Sequence, residues 1–190
     1  MGRRPGLNET VVVDAAAELV NETGPGALSI AALAQRLQVK SPSLYNHING
    51  LDGLQQKLAL RGLQQLTAVM QASVMGRAGY EALVALAQAY RQFAKTQPGL
   101  YAFTLRSTEQ DTPEMKAAGR AGVEVVLAVF RGYGLEGDAA LHATRCLRSA
   151  LHGFVSLEAG GGFGLPLDLD VSFEHLLQTL DCGYKTGFGG

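Results

Sequence analysis

Lys40, Ser41, Ser43, Asn46 and His47 set an ammonium, two hydroxyls, an amide and an imidazole among Pro42, Leu44 and Tyr45. Such groups hydrogen-bond to a polar surface: they donate to phosphate oxygens and meet the mixed donors and acceptors of base edges. Residues 41–48 have the spacing of one short helix. Leu44, Tyr45 and Ile48 fall on its expected buried side, which leaves Ser43, Asn46 and His47 opposite, with Lys40 and Ser41 at the start. Ser41 is expected to cap this helix. Pro42 suits a first turn, where no N–H is needed.

The element that must position this face lies just ahead of it. Ile30, Leu33, Ala34 and Leu37 recur at i, i+3, i+4 and i+7, one face of a helix, and Ser29 stands where its hydroxyl can cap the free N–H groups. Residues 38–40 break the pattern. A helix, a tight turn and a second short helix form the layout of a helix-turn-helix, whose second helix fits the major groove of DNA. An ordinary helical corner in an α protein fits the same pattern.

Other residues that could do chemistry point elsewhere. Ser156 and His152 share a helix face at i, i+4, a pairing that arises by chance, and Glu158 falls on another face. His47, His142, His152 and His175 have no metal-ligand spacing with cysteines or carboxylates. The glycines of residues 160–164 lack the GK[ST] ending of a phosphate loop and follow no strand, so they read as a helix stop. No enzyme, cofactor or metal is expected. Cys146 and Cys182 have no CxxC spacing and are expected to be reduced, packed thiols.

Net charge over the 190 residues is −1, which argues against a generally basic nucleic-acid binder. Within residues 1–50, Arg3, Arg4, Arg36 and Lys40 face Glu9, Asp14, Glu18 and Glu22. Residues 1–7 read as a basic arm, either reaching DNA through Arg3 and Arg4 or simply solvated. They contain no apolar stretch of a secretory signal, and no apolar run is long enough to cross a bilayer, so a cytoplasmic protein without membrane association is expected.

The whole chain reads as all-α, with about nine helices. The first covers residues 8–21, with Val12, Ala15, Ala16, Leu19 and Val20 as its buried stripe. The helix-turn-helix pair follows, then a connector over residues 51–73. Further helices are expected over 79–96, 100–105, from Pro113 to Gly132, and over 136–159, with a polar loop over 106–112. A ninth, capped by Asp170, carries Phe173, Leu176, Leu177, Leu180 and Tyr184. Along the eighth helix, Arg145, Arg148, His152 and Ser156 form a stripe that suits solvent, a dimer contact or a pocket wall. Residues 1–50 are expected to form a helix-turn-helix DNA-binding domain and 51–190 a helical regulatory domain for ligand binding and dimerisation.

Ala15-Ala16 with Leu19, Thr23-Gly24, the segment 29–34 (SIAALA) and the segment 39–47 (VKSPSLYNH) together resemble the DNA-binding domain of TetR/AcrR-type transcriptional regulators, over residues 12–58 without a gap. Further on, His152-Gly153-Phe154 and the GGFGLP of 161–166 are similar to the C-terminal regulatory domain of one subgroup. The resemblance implies a ligand-responsive transcriptional repressor. Ser29 and Lys40 would contact phosphates, as would Tyr45 and His47. Ser41, Ser43, Leu44 and Asn46 would approach bases. The partners implied are double-stranded DNA with a near-palindromic site, a second copy of the chain joined through the eighth and ninth helices, and a small, mostly apolar effector. Tyr90, Phe93, Tyr101, Phe103, Phe130 and His152 are the candidate effector-binding residues. Such proteins usually carry Phe after the His and a phosphate-binding Lys three residues later. Here these places hold Ile48 and Leu51; Leu51 cannot hold a phosphate, so either Lys57 or a helix N-terminus contributes there, or affinity is lower. A rival reading keeps the fold and drops the DNA: a helical small-molecule-binding or scaffold protein, favoured by Leu51 and the acidic first helix. A regulator that activates rather than represses has the same sequence features.

Overall fold

The computed structural model describes residues 6–105 and 112–187, which leaves Arg3, Arg4 and most of the expected polar loop outside the described residues. Nine α-helices occur in the described residues: α1 (Glu9–Thr23), α2 (Ile30–Leu37), α3 (Ser41–Leu44), α4 (Gly50–Val74), α5 (Gly79–Thr96), α6 (Pro98–Thr104), α7 (Pro113–Arg131), α8 (Gly137–Ala159) and α9 (Leu169–Thr186), with a 3-10 turn at Pro25–Ala27. No strand forms among these residues. The chain divides into two compact units, Met1–Gln64 with Thr96–Lys116, and Gln65–Lys95 with Ala117–Gly190.

In the first unit, local signals start and stop α1. The Asn8 carboxamide oxygen accepts from the Val11 N–H at 3.0 Å, and Gly24 ends the helix at φ 83°, a conformation open to glycine. Val12, Ala16 and Val20 are fully buried, as are Leu33, Leu44, Leu54 and Leu58. A core drawn from α1, α2, α3 and the start of α4 therefore sets the angle of the helix-turn-helix. At Gly99 a methyl group would stand 2.3 Å from the Val20 carbonyl, so only glycine lets α6 lie this close to α1.

The second unit has its own core of Leu83, Leu86, Phe130, Leu147, Leu151 and Leu177. The Phe130 and Tyr184 rings meet edge-on at 4.8 Å, a favoured aromatic geometry. Beside this core lies a charged cluster. Arg91 is 9% exposed; its Nε donates to Glu158 Oε2 at 2.8 Å, its Nη2 to Glu158 Oε1 at 2.6 Å and its Nη1 to Asp170 Oδ1 at 2.7 Å. The guanidinium stacks on Phe173 at 4.8 Å and on Phe154 at 5.3 Å. Asp168, not Asp170, caps α9: it accepts from the Asp170 N–H at 2.7 Å and the Val171 N–H at 3.4 Å. That frees Asp170 for Arg91. Glu158 likewise has the partner that its place on α8 did not suggest. Cys146 and Cys182 are free and exposed rather than packed.

Candidate nucleic-acid interface

Ser29 does what its position demands. Its hydroxyl oxygen accepts from the Ala32 N–H at 3.1 Å and fixes the start of α2. Leu33 and Ala34 bury the inner face of that helix. Gln38 ends it in the left-handed conformation, at φ 57° and ψ 41°, and its N–H returns to the carbonyls of α2. This single αL residue reverses the chain within the turn.

The second helix begins at Ser41, where its cap was expected, and the cap lies one residue earlier. Lys40 is extended and stands in the cap position, and its carbonyl accepts from the Ser43 N–H at 2.9 Å. Ser41 is therefore the first helical residue and caps nothing. Regular α-helix lasts only through Leu44. The His47 and Ile48 N–H groups then both donate to the Leu44 carbonyl, at 2.9 and 3.1 Å, and close a turn over 45–47.

Leu44 is fully buried and Ile48 is 3% exposed, so these two anchor the segment. The side chain of Leu44 points into the core, which corrects the expectation of a base contact there. Tyr45 was expected on the buried side but is 57% exposed; it keeps αR dihedrals, but the regular α-helix stops at Leu44 just before it. Lys40, Tyr45 and Asn46 form an exposed set, with Ser41, Ser43 and His47 half-buried among them.

The electrostatics of this unit were not legible from charge counts. Arg36 bonds Glu22 at 2.7 Å and Glu18 at 3.0 Å, Lys57 bonds Glu9 at 2.7 Å, and Arg61 pairs with Asp14. The Arg36 hydrogen bond holds the Glu22 carboxyl below its ordinary range. The acids of α1 thus engage three cations of α2 and α4. Among the lysines and arginines of residues 6–64, Lys40 alone has no ion pair. Lys57, one of the groups expected to make up for Leu51, pairs with Glu9.

The candidate effector residues divide between the units. Tyr101 and Phe103 are buried in the first; Tyr90, Phe93 and Phe130 are buried in the second, where His152 is half-buried with its Nδ1 at 3.4 Å from the Ser156 hydroxyl. In the same unit Arg145, Arg148 and Ser156 are exposed. A separate cleft of about 720 Å³ opens between α5 and α9, with Val84, Phe173 and Leu177 as its apolar wall and Gln88, Arg91 and Glu174 as polar groups. None of the six candidate residues lines it.

A short outward-facing helix, held by two buried anchors behind a capped partner helix in an all-α chain, defines a helix-turn-helix protein. Residues 12–49 match the model for bacterial regulatory proteins of the tetR family, and residues 83–180 match that for the tetracyclin repressor-like C-terminal domain. The chain is 39% identical over 183 residues to an uncharacterized HTH-type transcriptional regulator of Bacillus subtilis, covering 96% of this chain and 95% of that one. It is 36% identical over 187 residues to another of Mycobacterium tuberculosis, covering 97% and 85%. The fold is shared with the Streptomyces coelicolor TetR family protein ActR solved in complex with actinorhodin, at a TM-score of 0.72 and 19% identity over 98% of this chain and 100% of that one. The chain belongs to the tetR family and is a transcriptional regulator.

Proposed function

We propose that this regulator is a homodimeric, ligand-responsive repressor in which residues 1–50 read DNA and residues 51–190 dimerise and bind the effector. The exposed set at Lys40, Tyr45 and Asn46 carries the reading: it stands on a short helix whose aim is fixed by the buried Leu44 and Ile48. Tyr45 and His47 donate to phosphates beside Lys40. Ser41, Ser43 and Asn46 meet base edges. The capped N-terminus of α2 at Ser29 takes a further phosphate.

Two copies would join through α8 and α9 as a four-helix bundle. Leu141 and Leu157 on α8 are 45% and 50% exposed in the single chain, apolar area that a second copy would cover. Two reading helices roughly 34 Å apart would then meet successive major grooves of a near-palindromic site. The effector is a small, mostly apolar molecule; a bound ligand has a precedent in ActR, solved in complex with actinorhodin. The His152-Gly153-Phe154 and GGFGLP segments support assigning the regulatory part to one subgroup of the family. Work confined to the cytoplasm follows from a role on DNA, and no described helix is long and apolar enough to cross a membrane.

The test is a binding titration with the DNA upstream of the protein's own gene. Salt-weakened binding that Tyr45→Ala removes, with helicity retained, is expected. Failure to bind any genomic fragment selects the rival reading, a helical ligand-binding or scaffold protein. Light scattering should give about twice the 20.0 kDa chain mass.

A further inference from the structure

The first turn of α6 is capped by a residue of α1. Gln97, which precedes α6, makes no side-chain cap, and Pro98 has no N–H to offer. The next two donors, Gly99 N–H and Leu100 N–H, both go to the Asn21 Oδ1, at 3.0 and 3.2 Å. The same carboxamide donates through Nδ2 to Gln97 Oε1 at 2.5 Å. Gly99 and Leu100 are buried, and the backbones touch where Gly99 meets Val20.

Separating α6 from α1 would break both hydrogen bonds and strip the first turn of α6 of its cap. The first turn of α6 and its seat on α1 therefore form and break together. Gln97 is also the single residue between α5 and α6. Asn21 thus holds both Gln97 and the first turn of α6 against α1.

We propose that Asn21 is a positioning residue for DNA binding, coupling the first turn of α6 to the helix-turn-helix through its cap on Gly99 and Leu100. The inference rests on the DNA-reading function above. Coupling is reciprocal: DNA that fixes the head must also steady the α6 turn.

The experiment measures amide hydrogen exchange at Gly99 and Leu100, with and without a duplex selected on the wild-type protein, in parallel with affinity for that duplex. Wild type should show slower exchange at both amides when DNA is bound. Asn21→Leu should lose that response and about tenfold or more in affinity, within the usual range for coupled sites. Asn21→Asp keeps an acceptor for both N–H groups and should bind within a few-fold of wild type. The denaturation midpoint of each variant separates unfolding from uncoupling, since a purely structural role would lower the midpoint and leave the DNA response in place. A wild type that binds DNA with no change at Gly99 and Leu100, or an Asn21→Leu that binds equally well, overturns the coupling alone. A wild type that retains no duplex overturns the DNA reading, and the coupling with it.

Discussion

Glu158 grips Arg91 with both carboxylate oxygens, at 2.8 Å to Nε and 2.6 Å to Nη2, although 67 residues separate them in the chain. Side-chain exposures of 12% and 11% put the pair in a setting where either charge alone is costly. Glu158→Ala is therefore expected to destabilise the protein by about 3–5 kcal/mol, the range for breaking a buried pair by removing one partner. Chemical denaturation measures it. Asp170→Ala should cost much less, because that carboxylate is 82% exposed.

The same pair sets an acid limit. The Arg91 hydrogen bond holds the Glu158 carboxyl below its ordinary value of 4.5, against the opposing effect of burial. A carboxylate whose folded pKa is depressed contributes stability above its unfolded pKa, and loses it as pH falls through the folded one. Stability should thus fall with acidity below 4.5, and Glu158→Gln should flatten that part of the curve. Denaturation midpoints taken from neutral pH downward read the difference. Equal slopes would remove Glu158 from the account.

Leu44 and Tyr45 are neighbours with opposite expected phenotypes. Leu44 is fully buried, and Leu44→Ala should cost about 2–5 kcal/mol of stability. Tyr45 is 57% exposed, and Tyr45→Ala should leave the denaturation midpoint nearly unchanged while DNA binding is lost. Paired melting and binding measurements on the two variants check this.

Lys40→Ala should lower the slope of log affinity against log salt by about 0.9 for each phosphate contact it removes. Lys57→Ala should change that slope little, because its charge is already met by Glu9 at 2.7 Å. A titration series at several salt concentrations compares the two.

The parts of the fold that depend on neighbours in sequence were legible. Ser29 caps α2 as its place ahead of Ile30 requires, because that signal acts within a turn of the helix. Face assignments failed where a helix was too short to keep its period. Tyr45 was placed inside by extending a helix that stops at Leu44. Asp168 and Asp170 both offer a carboxylate near the start of α9, and only the backbone path shows which one caps.

Contacts across long separations were not legible at all. Arg91 reads as one polar residue on an amphipathic helix until Glu158 and Asp170 are brought to it. Asn21 reads as the fraying end of α1 until Gly99 arrives beside it. The ion pairs of Arg36, Lys57 and Arg61 belong to the same class: charge counts gave the balance, and only tertiary structure showed who neutralises whom.

Because the acids of α1 already occupy those three cations, little charge among the described residues of the head is left to hold arbitrary chromosomal sequence. Few molecules would then be sequestered along the genome between visits to the true site. A small intracellular copy number could keep that site filled.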